Sequence, residues 1–518
     1  MTLGRARDGS PSLPLPLSSM TTVSTTAGQV RGATHGAGLR FAGIPFAGST
    51  GGAGRWRPPT PVVPWTDVRD ATGFGAIAPQ NPDMMLAFLG LEPEAMGEEC
   101  LHLNVFTPAA DDAARPVMVW IHGGAFFMGS GSSPMYDGMS LVERGDIVLV
   151  SINYRLGAFG FMELGWLDDE LAGSANCGLL DQVAALEWVR DNIAVFGGDP
   201  GNVTIFGESA GSMSVTSLLA MDAAKGLFHK AIAQSGAAQT IATPDQAERS
   251  GRAFVEACGV TTADELHALP MERILEVQSQ VVITSMTNVE PLLEEGISAG
   301  LPFRPVADGR ELPTSVLAAI RAGSAADIPV ITGTTREEWR LFALMDFEPV
   351  DADVLHHRLD ALTGDGDKAL AVYAEATAGL EPKDAFSVIA TDMVFRHPAI
   401  QLGEALLAQG PDVWEYQLSW ATPALFGMLG SCHALDLPFV FGTTRDPQMA
   451  PFLGDAPPHE LADAIQDAWL SFARTGDPGA DWPRYDLDRR AVRDFDATLG
   501  LLEDPGAPQR EFWDTVAP

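Results

Sequence analysis

The chain has 518 residues, 46% of them hydrophobic, enough to bury a large core in one big domain or several. Asp and Glu number 68 against 32 Lys and Arg, a formal charge of -36. That field repels phosphate backbones and anionic membranes, which excludes nucleic acid as a partner, and no stretch reads as a membrane span.

Residues 1–21 contain no apolar run of the length an export signal needs. They are expected to form a disordered leader, with Met20 an alternative start to Met1. The runs Val117–Ile121 and Ile147–Ile152 are β-branched and apolar and read as buried parallel strands. Leu179, Leu180, Val183, Leu186, Val189 and Ile193 recur at helical spacing until Gly197-Gly198-Asp199-Pro200. Val203–Phe206 predicts a strand, and a helix is expected from Met213 to Met221. Ala231–Gln234 and Ile328–Ile331 read as later strands of the same sheet. Residues 245–325 and 350–410 are Ala-rich, acidic and helical in pattern, excursions that cap the sheet. Strands alternating with helices mark an α/β fold around a large, mostly parallel sheet. No linker or repeat divides the chain after residue 22, so a single domain over 22–515 is expected.

Chemistry enters at Gly207-Glu208-Ser209-Ala210-Gly211. Strand, glycine-flanked turn and helix is the setting in which G-x-S-x-G forms a nucleophile elbow. Gly207 and Gly211 remove side chains that would clash at so sharp a bend. Upstream, His122-Gly123-Gly124-Ala125-Phe126 follows the end of a strand. Consecutive small residues let backbone N–H groups turn inward, as an oxyanion formed during acyl transfer requires. Ala210, after the serine, supplies a further donor.

A serine nucleophile needs a base, and the base an orienting acid. His229, His267, His356, His357, His397 and His459 lie in helical or polar surface stretches. His433 sits in a loop of small residues, Gly430-Ser431-Cys432-His433-Ala434, between apolar segments. A neutral base there is expected to titrate near histidine's reference pKa of ~6.5. The acid lies just after the strand that carries Ile331; periodicity does not choose between Glu337 and Glu338.

The ordered motifs resemble the type-B carboxylesterases, the family of bacterial para-nitrobenzyl esterases, animal carboxylesterases and cholinesterases. The resemblance rests on Phe41–Ala47, Glu98–Val105, residues 120–129, Asn153–Gly157, Gly178–Gly211, Gln234-Ser235-Gly236, Gly333–Trp339, His433–Phe441 and Trp469–Pro483. It implies the α/β-hydrolase fold in a bacterial serine esterase that acts on carboxylic esters with water and without metal or organic cofactor. Residue by residue, it implies Ser209 as nucleophile, His433 as base and Glu338 as orienting acid. Gly124, Ala125 and Ala210 match the oxyanion donors, with Gly123 shaping the turn. Glu208 and Ser235 match supporting positions, and Arg55 with Glu98 and Arg155 with Asp181 match structural ion pairs. Phe126, Phe127, Phe342, Met345, Met428 and Leu429 adjoin motif residues and are expected to line an apolar pocket for short- to medium-chain, uncharged esters, aromatic ones included.

Three departures bear on function. Relatives made for export often pair the cysteine equivalent to Cys100 with one where this chain has Ala78, so all four cysteines are expected to be free, as suits the cytoplasm. No tryptophan lies between Ala78 and Cys100 to hold a quaternary ammonium, which argues against choline esters. Trp339 stands where many relatives have glycine and is expected to crowd or shape the acid loop. Alternatives are an amidase or carbamate hydrolase on the same residues, or a non-catalytic adhesion-type relative, which the intact Ser209, His433 and Glu338 argue against. Monomer and dimer are equally compatible with the sequence.

Overall fold

The computed structural model describes residues 20–82, 90, 94–287, 300–344, 346 and 349–516. Its strands are β1 (Met20–Ser24), β2 (Gln29–His35), β3 (Gly38–Pro45), β4 (Arg69–Asp70), β5 (His102–Thr107), β6 (Arg115–Ile121) and β7 (Val148–Ile152). They continue with β8 (Gly198–Glu208), β9 (Lys230–Gln234), β10 (Val330–Thr335), β11 (Val413–Leu418), β12 (Ala491–Phe495) and β13 (Gly500–Glu503). All belong to one sheet, ordered β1-β2-β3-β5-β7-β6-β8-β9-β10-β11-β12-β13, with β4 beside β2. The stretch from β7 to β12 is parallel throughout, and both flanks are antiparallel apart from the short β4, which pairs parallel with β2.

Side chains of the central strands divide between two cores by strict alternation. Val117, Val119 and Ile121 enter one cluster, while Met118 and Trp120 enter the other. Val203 and Ile205 oppose Phe206 in the same way, and Ala231 and Ala233 oppose Ile232. A parallel strand with both faces buried has no polar face to show, hence the unbroken apolar runs in the sequence. A third cluster, including Leu359, Tyr373, Phe386, Ile389 and Trp513, holds the later helical excursion together.

Among the described residues, the first excursion contains the helices Pro244–Cys258 and Met271–Thr287 and the second Ala352–Thr363, Pro382–Thr391 and His397–Leu407; residues 288–299 of the first lie outside the described set. Several boundaries differ. β1 begins at Met20 and pairs Met20 with Ala33, so the last two residues assigned to the leader are strand; residues 1–19 lie outside the described set. The helix expected from Met213 starts at Ala210, directly after the serine. The strand expected at Ile328–Ile331 runs Val330–Thr335, carrying the acid loop's threonines in register with β11.

Two buried ion pairs stiffen the edges of this scaffold. Arg155 meets Asp181 through Nη2 at 2.6 Å and Nε at 2.8 Å, both side chains almost wholly enclosed. Arg55 grips Glu98 with Nε at 2.5 Å and donates to the Leu269 carbonyl at 2.6 Å.

Candidate active site

In an open parallel sheet, functional groups collect beyond the carboxyl ends of the strands. β6 ends in the Gly123–Ala125 loop, β8 in Ser209, and β10 in Glu338. Ser209 adopts φ 57 and ψ -123, a conformation that side chains other than glycine rarely hold. The surrounding glycines make it possible. A Cβ on Gly207 would stand 2.6 Å from the Gly211 carbonyl carbon, and one on Gly211 2.0 Å from the Ile121 oxygen. Ser209 N–H donates to the Gln234 carbonyl at 2.9 Å, locking the bend to β9. The serine is half-buried among fully buried neighbours.

The loop after β6 packs on the elbow. A Cβ on Gly123 would lie 2.7 Å from the Glu208 carbonyl oxygen and 3.1 Å from Ser209 Cβ. Gly124, Ala125 and Phe126 all take positive φ (108, 52 and 64). The N–H groups of Gly124, Ala125 and Ala210 find no backbone or side-chain acceptor among the described residues. His122 supports the turn: its ring stacks on Tyr154 at 4.5 Å, and the Tyr154 hydroxyl donates to its carbonyl at 2.8 Å. Burial pushes His122 down to about 4, so the ring is neutral at pH 7. Gln80 clamps the far end of the loop, accepting from Gly129 N–H at 2.8 Å and donating to its carbonyl at 2.9 Å.

His433 is nearly buried, held by a carboxylate at one ring nitrogen and close to another at the second. Nδ1–H donates to Glu338 Oε2 at 2.6 Å, and Nε2 lies 3.1 Å from Glu208 Oε1. Glu338 is fixed in turn, its Oε1 accepting from Thr335 N–H at 2.8 Å. Glu337 faces away from the imidazole. It accepts from Ser431 N–H at 2.9 Å and pairs with Arg340 Nε at 2.9 Å, latching the acid loop to the histidine loop. Geometry thus separates two adjacent glutamates that periodicity could not.

Burial opposes charge on His433, but Glu208 and Glu338 against the ring outweigh it and push the imidazole up to about 9. The expectation of a group near its reference value is corrected accordingly. Burial likewise pushes Glu208 up to about 8, against the pull of the imidazolium. A third carboxylate, Asp436, lies behind, accepting from Gln234 Nε2 at 2.8 Å and Tyr416 OH at 2.9 Å; burial pushes it up to about 6. Among the described residues the Ser209 hydroxyl makes no hydrogen bond. Catalytic hydrogen bonds often close only with substrate in place.

Other sequence expectations divide. Ser235 also has a positive φ, 54, but is completely buried with its hydroxyl unpartnered, so it lies beneath the site. Phe126 is a core residue, its ring edge-on to Phe161 at 5.0 Å, and Phe127 and Leu429 are also buried in the two cores. Met428 is half-exposed, and Met345 lies outside the described residues. Sequence adjacency to a motif does not fix the direction of a side chain. Among the described residues of the six, Phe342 alone has a ring contact with the site, 5.1 Å from His433. Trp339 turns from the imidazole toward Phe342 and Phe386. His397 begins the helix His397–Leu407, is buried and bonds Asp514 at 2.9 Å. Sequence reasoning missed Phe395, whose ring stands 4.7 Å from His433, and Asp436. Phe395 lies in a segment with no local signature, and Asp436 lies in the His433–Phe441 run, where nothing local sets it apart.

All four cysteines are free and buried. Burial pushes Cys100 up to about 12 and Cys177 and Cys258 to about 11, the behaviour of inert thiols. No group of three or more His, Cys, Asp or Glu among the described residues is arranged to hold a metal ion. No helix among them is long and apolar enough to cross a membrane.

Known proteins are similar to this chain along almost its whole length. The sequence model of the carboxylesterase family matches residues 19–513. The chain belongs to the carboxylesterase family. It is 40% identical to the para-nitrobenzyl esterase of Bacillus subtilis, over 94% of this chain and 97% of that one. It is 34% identical to the phenmedipham hydrolase of Pseudarthrobacter oxydans, over 90% and 93%. Among solved structures, the Geobacillus stearothermophilus carboxylesterase superposes with a TM-score of 0.84 at 38% identity, covering 95% of this carboxylesterase and 100% of its own chain. A thermophilic pNB esterase gives 0.84 at 37%, covering 95% and 99%.

Proposed function

We propose that this carboxylic ester hydrolase works through an acyl-enzyme on Ser209, with His433 as base, Glu338 as orienting acid and the amides of Gly124, Ala125 and Ala210 as oxyanion donors. The observation that carries the reading is an imidazole whose Nδ1–H is tied at 2.6 Å to a fully buried carboxylate, in a sheet that also carries a serine on a strained elbow after β8. That bond fixes the tautomer in which Nε2 is free to accept a proton. As Ser209 Oγ attacks the ester carbonyl, its proton passes to Nε2 and the carbonyl oxygen gains charge beside the free N–H groups. Collapse expels the alkoxide, which takes the proton back from Nε2. Water then repeats the sequence on the acyl-serine. Losing one oxyanion donor costs ~3–4 kcal/mol of barrier. Residues 22–515 act as one catalytic domain, a reading that the unbroken sheet supports.

The substrates are short- to medium-chain, uncharged esters, aromatic ones included. The apolar ring of Phe342 beside His433 supports this, as does the likeness to para-nitrobenzyl esterase. The likeness to phenmedipham hydrolase favours, as a second reading, cleavage of amides or carbamates by the same residues. A panel of p-nitrophenyl acetate, butyrate, octanoate and palmitate with butyrylcholine, an anilide and an aryl carbamate tests both. The highest kcat/KM is expected at butyrate or octanoate; a maximum at palmitate contradicts the chain-length reading, and a carbamate rate above every ester makes the second reading the main one. The protein works in the reducing cytoplasm, for which the four unbonded cysteines speak. Thiol titration of denatured, unreduced protein should find all four, and a shortfall of two contradicts it.

A further inference from the structure

One stretch of irregular helix bears directly on the imidazole. The helix Pro382–Thr391 passes into His397–Leu407 through a five-residue π turn, Asp392–Arg396, closed by the bond from His397 N–H to the Asp392 carbonyl. Such turns weaken a helix and persist where something else holds them. Here nearly every residue of the turn is fastened to a different part of the fold. The Asp392 carboxylate accepts from Tyr373 OH at 2.6 Å and from Arg396 Nη2 at 2.7 Å. Trp513 Nε1–H donates to the Tyr373 oxygen at 2.7 Å, which ties the turn to the C-terminal helix. The Val394 carbonyl accepts from Gln239 Nε2 at 2.8 Å, and Arg396 Nη1 donates to the Pro505 carbonyl at 2.9 Å.

The remaining member, Phe395, is directed at His433. Its ring lies 4.7 Å from the imidazole and stacks at 5.9 Å and 13° on Phe342, which itself lies 5.1 Å from the imidazole. An inserted residue turns the rest of a helix by about 100°, so the π turn decides which face Phe395 occupies. The imidazole has a choice to be constrained: Nε2 stands 3.1 Å from Glu208, and the serine hydroxyl is without a partner.

We propose that Phe395, aimed by the pinned π turn, is a positioning residue that clamps the His433 ring with Phe342 and limits its swing between Glu208 and Ser209. This deepens the reading of Ser209 and His433 as the reacting pair and rests on it. The clamp touches the base and makes no covalent step of its own, so its loss should lower kcat and leave ground-state binding in place.

The test compares Phe395→Ala, Phe395→Leu and Tyr373→Phe with the unaltered protein on p-nitrophenyl butyrate, alone and combined. Phe395→Ala should lower kcat on the order of 10- to 100-fold, as a small misplacement of a reacting group does, with KM within about two-fold. Phe395→Leu should restore part of the loss. Tyr373→Phe, on a residue that does not touch the imidazole, should lower kcat several-fold alone and add nothing in the Phe395→Ala background. Independent, multiplying losses would mean that the network does not act through Phe395. A KM that climbs with acyl length at unchanged kcat would make Phe395 a pocket wall and overturn the proposal. If Phe395→Ala fails to fold, Phe395→Leu and Tyr373→Phe still decide the coupling. A Ser209→Ala control separates the two readings: were it to stay active, the reacting pair itself would be wrong, whatever Phe395 does.

Discussion

The serine side and the histidine side of the site are built by different means. On the serine side, order is written in the backbone. Gly207, Gly211, Gly123 and Gly124 leave no room for a Cβ, Ser209 is driven to φ 57, and the loop and elbow pack directly on each other. On the histidine side, order comes from side chains that meet from far apart in the chain. Glu338 follows β10, His433 follows β11, Glu208 ends β8, and Phe395 hangs from a π turn in a helical excursion. Backbone sterics make a site local and compact in sequence. Side-chain packing makes it tunable, because each contributor can change without rebuilding a strand.

The largest expected effect lies on the serine side. Ser209→Ala should cut ester turnover on the order of 10⁴- to 10⁶-fold with folding intact, read by steady-state rates and thermal melting. Ser235→Ala, at a buried bend with a similar φ, should cost far less; the reverse ranking would break the distinction between the two strained serines. Next comes the acid. Glu338→Gln should lose ~10³- to 10⁴-fold in kcat through a mis-oriented imidazole. Glu337→Gln should keep most activity, because Glu337 braces Ser431 and Arg340 and leaves the ring alone. Equal losses would show that bracing the loop matters as much as holding the ring.

That difference also explains what the sequence revealed. The elbow, the oxyanion loop and the central strands are short-range patterns of glycine, small residues and β-branched runs, so each is legible in a window of a few residues. Glu338 could be chosen over Glu337 only through family resemblance, since both follow the same strand and only tertiary packing decides which one turns inward. Adjacency in sequence says as little about the pocket: Phe126 and Leu429 neighbour motif residues, yet both are buried in the two cores, while Phe342 packs on His433. Phe395 had no local signal at all, because what aims it is a helix irregularity pinned by Tyr373, Trp513, Gln239 and Pro505.

The smallest effect sharpens the tunable side. As the proposed base, His433 would act only when neutral, so kcat/KM should rise with pH as the imidazolium loses its proton. With carboxylates on both nitrogens holding it up to about 9, the midpoint should lie above the reference ~6.5. Glu208→Gln removes a charge that favours the imidazolium. The midpoint should therefore move to lower pH, on the order of one unit. A midpoint that stays fixed or rises would mean that Glu208 does not bear on the ring's charge.

Both sides converge on one claim, that Ser209 carries the acyl group only when His433 can take its proton. Labelling with a fluorophosphonate, followed by digestion and mass spectrometry of the intact and His433→Ala proteins, tests it directly. A single adduct on the Ser209 peptide, with labelling slowed by orders of magnitude in His433→Ala, is the result expected. An adduct on Ser235, or undiminished labelling of Ser209 without His433, would contradict it.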